Sequence, residues 1–161
     1  MERKRNLTVI AAIGLLIFLF SFNSAFAFDK LFIIANQKSL DMAKDFITLL
    51  NNESIPLSIV LDQYDKVKNE KYVVVLGGAK GPAGVEGFIK QILTAEEQAA
   101  SNQPAGRIYV RENVFTKGQT IIVFAGPDEA AAAAARKNSQ KTWWTLFTKW
   151  FNIETTTPMA Y

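Results

Sequence analysis

The sequence predicts an α/β fold: a three-layer sandwich around a mostly parallel sheet of about five strands, with one antiparallel strand near an edge and a C-terminal amphipathic helix. Three observations predict it. Two runs, Tyr72–Leu76 (YVVVL) and Thr120–Ala125 (TIIVFA), are apolar without interruption, as strands covered on both faces are. Each run enters a turn of glycine and proline and then a helical pattern. Strand and helix patterns alternate along most of the chain, which is the order of a layered α/β domain.

The elements follow in order. Glu2-Arg3-Lys4-Arg5, the apolar run Val9 to Phe22 and the small residues Ala25 and Ala27 form the layout of a secretory signal peptide over residues 1–27. Its apolar core is shorter than the roughly 20 residues that span a bilayer, so cleavage after Ala27 is expected over retention as an anchor. Residues 28–154 then form one domain, and 155–161 a flexible tail. Without the leader, Lys+Arg falls from 18 to 15 and Asp+Glu from 15 to 14, so net charge falls from +3 to +1. No clustered basic face remains for a phosphate backbone, and nucleic acid is not an expected partner.

Lys30–Ala35 (KLFIIA) reads as the first strand. Asn36-Gln37-Lys38 reads as a turn, with Ser39 capping a helix whose apolar face is Ala43, Phe46, Ile47 and Leu50. Pro56 precedes a second strand, Leu57–Leu61, and Asp62–Lys71 is polar. After the YVVVL strand, Val85, Phe88, Ile89, Ile92 and Leu93 form a helical stripe. Thr94 and Glu97 have the spacing of a capping box. Ser101–Gly106 is a loop. Arg107–Arg111 alternates, and the short link 112–118 makes it pair antiparallel with Thr120–Ala125. Asp128 caps an alanine-rich helix reaching about Lys137, with Arg136 and Lys137 at its dipole-negative end.

The chain has no cysteine and no histidine. Disulfides are therefore excluded, as are Ser-His-Asp and Cys-His catalysis and imidazole- or thiolate-based metal sites. No catalytic residue, metal or cofactor is expected.

Three segments are candidates for function. Gly77, Gly78, Lys80, Gly81 and Gly84 lie past the carboxyl end of a strand, where α/β sheets bind ligands and exposed N–H groups hold anions. The loop matches neither the Walker A nor the dinucleotide pattern: Pro82 and Ala83 fall where the Walker glycine belongs, Ala79 and Lys80 where the second dinucleotide glycine does. Gly126 and Asp128 repeat the same grammar, and parallel neighbours would bring Asp128 opposite Lys80. The competing role is turn and cap chemistry. Trp143, Leu146, Phe147, Trp150 and Phe151 make one apolar helical face, with Trp144 beside it. That face either docks on the sheet, lies at a membrane interface or binds a partner. Asn52-Glu53-Ser54 is a sequon that would place a glycan on Asn52.

YVVVLGGAKGP and GRIYVRENVFTKGQTIIVFAGPDEAAAAAA together resemble a domain of archaeal S-layer proteins of methanogen type. The shared grammar is Gly77-Gly78, Gly106, the Asn-x-Phe-x-x-Gly link from Asn113 to Gly118, and Ala125-Gly126 before an alanine-rich helix. The resemblance covers roughly residues 70–136. The chain departs from it in the Ala-Lys-Gly insertion after Gly78 and in length, so it looks like a stand-alone relative of one domain. The resemblance implies an exported, envelope-associated, non-enzymatic protein with a structural or interaction role at the cell surface. Its expected partners are other envelope proteins or itself, with membrane-surface contact through the C-terminal helix or a retained leader. The alternative is an extracytoplasmic small-ligand or anion-binding module, or an unusual enzyme, using the two glycine-rich loops.

Overall fold

The computed structural model describes residues 29–61, 63–78 and 85–154. The expected leader (1–27) and tail (155–161), and Lys80, Gly81 and Gly84, lie outside the described residues. The domain is an α/β sandwich with one five-stranded sheet in the order β2-β1-β3-β5-β4. The strands are β1 (Leu31–Ala35), β2 (Leu57–Val60), β3 (Tyr72–Gly78), β4 (Arg107–Glu112) and β5 (Thr120–Gly126). All neighbours pair in parallel except β4 with β5, which form the expected antiparallel hairpin, with β4 at the edge.

The helices are α1 (Gln37–Asp41), α2 (Lys44–Asn52), α3 (Val85–Ile92), α4 (Ala95–Ala100), α5 (Glu129–Asn138) and α6 (Gln140–Phe151), with a 3₁₀ turn at Tyr64–Val67. Side chains alternate across each strand, so the two sheet faces feed two cores. Leu31, Ile33, Val74, Ile122 and Phe124 meet α2, α5 and α6 through Phe46, Leu50, Ala135, Trp143 and Phe147. Ile34, Val73, Val75, Ile121 and Val123 meet α3 and the 3₁₀ turn through Val85, Phe88, Ile89 and Val67. The interior strands are buried from Tyr72 to Gly77 in β3 and from Ile121 to Gly126 in β5, as their unbroken apolar runs require.

Local chemistry explains most boundaries. Thr94 and Glu97 form the reciprocal capping box that starts α4. Asp128 caps α5, its carboxylate accepting from the Ala131 N–H at 2.8 Å. The start of the first helix differs from expectation. Asn36, not Ser39, is the cap: its side-chain oxygen accepts from the Ser39 N–H at 2.7 Å, and α1 begins at Gln37. Both residue types cap well, but only Asn36 stands where β1 ends and the chain must turn.

The Asn113-to-Gly118 link is a closed turn. Asn113 (φ 55°) and Gly118 (φ 82°) both adopt left-handed backbone, and the Asn113 side chain accepts from the Gly118 N–H at 2.6 Å. Asparagine tolerates that conformation and glycine favours it. Phe115, between them, packs on Phe88 with ring centres 5.4 Å apart. Buried Gln119 then ties the hairpin to the segment before β3. Its amide donates to the carbonyls of Lys68 and Glu70, both at 2.9 Å.

Candidate functional site

The order in which the chain lays down strands reverses between the parallel neighbours β1 and β3. From β1 the chain runs outward to β2 over the face that carries α2; from β3 it runs the other way over the face that carries α3. The two connections thus lie on opposite faces of the sheet. The carboxyl ends of β1 and β3 therefore part at a topological switch point, the usual ligand position in such sheets. β5 joins the same edge, because Gly77 lies opposite Ala125 and Gly78 opposite Gly126. The strand ends that lead into the two glycine-containing turns thus stand side by side.

The glycines themselves serve packing. A Cβ on Gly77 would lie 2.7 Å from Val85 Cγ1, so the missing side chain lets α3 close on β3. A Cβ on Gly126 would lie 2.5 Å from Ala131 Cβ, so α5 sits tight against β5. Asp128 is exposed and turned onto its own helix. At these three positions the described contacts are close packing and a helix cap. The cause is the short approach of α3 to β3 and of the alanine-rich α5 to β5.

The polar groups gathered at this edge come from elsewhere in the sequence. Asn36 donates its side-chain N–H to Glu129 Oε1 at 3.2 Å, and Lys38 Nζ lies 3.1 Å from Glu129 Oε2. Glu129 is 7 % exposed. Burial alone would raise its pKa, but its own backbone N–H, Lys38 and Asn36 outweigh that and hold the carboxyl below its usual value. Ser39 is 5 % exposed, and its hydroxyl has no hydrogen-bond partner among the described residues. Ser39, Gly77, Glu129 and Arg136 line a small cavity of about 10 Å³, room for one water-sized group.

Arg136 connects this cavity to a second cleft. It is buried although it belongs to the last turn of α5. Its guanidinium donates to Asp45 Oδ1 at 2.8 Å and to the Met42 carbonyl at 3.2 Å, and lies 5.2 Å from the centre of the Phe46 ring. Asp45 is held below its ordinary pKa: burial opposes this, but the hydrogen bond and charge of Arg136 prevail. A cleft of about 300 Å³ opens beside the pair, lined by Asp45, Leu49, Lys137, Gln140 and Trp143 among others.

The aromatic C-terminal face docks on the sheet. Trp143 and Phe147 are 2 % and 0 % exposed, inside the core. They are therefore withdrawn from the partner or membrane contact considered for them, because α6 lies on the face of Phe46 and Phe124. Trp144, Trp150 and Phe151 are half-buried against the same core. Trp150 stacks on Tyr72 with ring centres 4.4 Å apart and planes within 12°. Among the described residues no helix is long and apolar enough to cross a membrane. Asn52 is exposed at the end of α2, where a glycan would meet no core residue.

The sequence signal for Ser39 pointed to a cap and that for Arg136 to a helix-end charge, and Glu129 carried no signal. None marked them as neighbours, because Asn36 and Glu129 are 93 residues apart and Asp45 and Arg136 are 91. No protein-family model, curated protein or solved structure matches the chain.

Proposed function

We propose that the protein is exported to the cell envelope and acts there as a non-enzymatic interaction domain, a short relative of an S-layer module. The observation that carries this reading is the secretory leader pattern of residues 1–27 ahead of a domain that contains neither histidine nor cysteine. The S-layer-like spacing of residues 70–136 supports it. Its turn positions have physical reasons: Asn113 and Gly118 close the hairpin, and Gly126 lets the alanine-rich helix approach. Expression of the tagged full chain followed by cell fractionation and N-terminal sequencing tests the proposal. The expected product lies in the envelope or medium and begins at Phe28. A cytosolic product that keeps Met1 overturns it.

A second reading is favoured by one observation, the buried Ser39 hydroxyl at the switch point, without a partner among the described residues. In that reading the edge binds a small extracytoplasmic ligand whose hydroxyl or amine reaches Ser39 and the Glu129 carboxylate. Thermal-shift screening of sugars, amino acids and nucleotides should then find a class that raises Tm, and Ser39→Ala should abolish the rise. The absence of any rise, or a rise unchanged in Ser39→Ala, removes this reading.

A further inference from the structure

The two edges of the sheet are unlike. β4 carries Arg107, Arg111 and Glu112, and Arg111 is tied to Glu97. Charged residues of this kind keep a sheet edge from pairing with another chain. β2 and the residue after it read Leu57-Ser-Ile-Val-Leu61, with no charge, proline or glycine. Ile59 is 41 % exposed and Leu61 46 %, two of the three large apolar residues with exposed side chains among the described residues. β2 pairs only with β1 and ends the sheet on that side.

The backbone of β2 faces outward at alternate residues. The Pro56 carbonyl accepts from the Leu31 N–H at 2.9 Å, so it points toward β1. By the two-residue alternation of a strand, the N–H and C=O groups of Leu57 and Ile59 point away from β1, toward the open edge. Unpaired groups in a row beside apolar side chains are a template for another strand.

We propose that a second copy of this chain pairs on that edge, β2 against β2 in antiparallel register about a two-fold axis through Ile59. The axis sets Ile59 opposite Ile59 of the second copy, where each exchanges both backbone hydrogen bonds with the other. Leu57 falls opposite Leu61, and Ser58 opposite Val60. Residues directly opposite in an antiparallel pair share a face. Leu57, Ile59 and Leu61 of both copies therefore join in one apolar row, and no like charges meet. The contact is isologous and closes at two copies. A net charge of +1 on the chain without its leader leaves little repulsion between copies. The β4 edge cannot pair with itself as readily, because arginines would face one another or the adjacent positions.

The pairing deepens the interaction role proposed above and rests on it for its cellular setting. Its test runs on purified protein as the host processes it, so it fails or succeeds independently of where the chain is exported. Sedimentation is expected to show a dimer that Ile59→Lys converts to a folded monomer, with an unchanged far-UV circular dichroism spectrum and a Tm that no longer depends on protein concentration. Ile59→Cys supplies the second measurement, since the chain has no cysteine of its own. The opposed Cα atoms of a hydrogen-bonded antiparallel pair lie about 5.5 Å apart, within disulfide reach. Mild oxidation should cross-link Ile59→Cys into a covalent dimer, while Lys117→Cys, on the exposed hairpin turn, should stay monomeric. A monomer in sedimentation, a dimer that survives Ile59→Lys, or equal cross-linking of the two cysteine variants overturns the proposal.

Discussion

Replacing Trp143 with alanine is expected to lower the unfolding free energy by about 3–5 kcal/mol, the range for removing a large buried aromatic side chain. The indole is 2 % exposed. It meets the Phe46 ring edge-on at 5.1 Å, Phe147 at 5.4 Å and Trp144 at 6.0 Å. Its Nε1–H donates to the Arg136 carbonyl at 2.8 Å, which satisfies one of the orphan acceptors at the end of α5. Alanine removes the rings' common partner and leaves that carbonyl only the longer 3.4 Å hydrogen bond from the Ser139 hydroxyl. Trp143→Phe keeps much of the packing but loses the hydrogen bond, so its cost should be smaller. Urea unfolding followed by circular dichroism measures both. A Trp143→Ala loss below about 1 kcal/mol would put α6 outside the cooperative core and contradict the packing described here.

Gly106→Ala should be destabilising by about 2–5 kcal/mol, through two additive causes. Gly106 has φ 56°, a left-handed conformation that costs an ordinary residue about 1–2 kcal/mol. A Cβ there would also lie 2.3 Å from the Ala131 carbonyl oxygen and 2.6 Å from that of Ala125. Backbone cannot yield as a flexible side chain does, so α5 or the start of β4 must move, and overpacking of this kind costs about 1–3 kcal/mol. Gly118 provides the control. It too has positive φ, at 82°, but a Cβ there meets nothing within 4 Å. Gly118→Ala should therefore show only the conformational cost. Equal losses in the two variants would mean that the close approach of α5 contributes nothing.

The strands were legible because their cause is local in sequence. Val73, Val74 and Val75, and Ile121, Ile122 and Val123, are β-branched and apolar on both alternating sets, which only a covered strand accommodates. The capping box at Thr94 and the cap at Asp128 were legible for the same reason: donor and acceptor lie three residues apart. The first helix shows the limit. Asn36 and Ser39 both carry cap-forming side chains, and the choice fell to Asn36 because β1 fixes where the chain turns. Ser39 is then carried into the helix and buried with its hydroxyl unpaired among the described residues.

The candidate site was legible in place but not in composition. The repeated strand-glycine-proline-helix pattern located an edge shared by the ends of β3 and β5, and the register sets Gly78 opposite Gly126. The residues that give this edge its chemistry are Asn36, Lys38, Ser39, Glu129 and Arg136, and their partners are far along the chain. The sequence by itself determined the α/β class, the antiparallel hairpin, the helix caps at Thr94 and Asp128 and an aromatic face that had to be covered. Periodicity and capping act within a few residues, so they are written locally. Only the tertiary structure decided that the aromatic face covers the sheet, that Arg136 is buried on Asp45 and that β2 is left as an uncharged edge. Those outcomes depend on which elements meet, and a pattern of apolar residues states that a surface must be buried without stating against what.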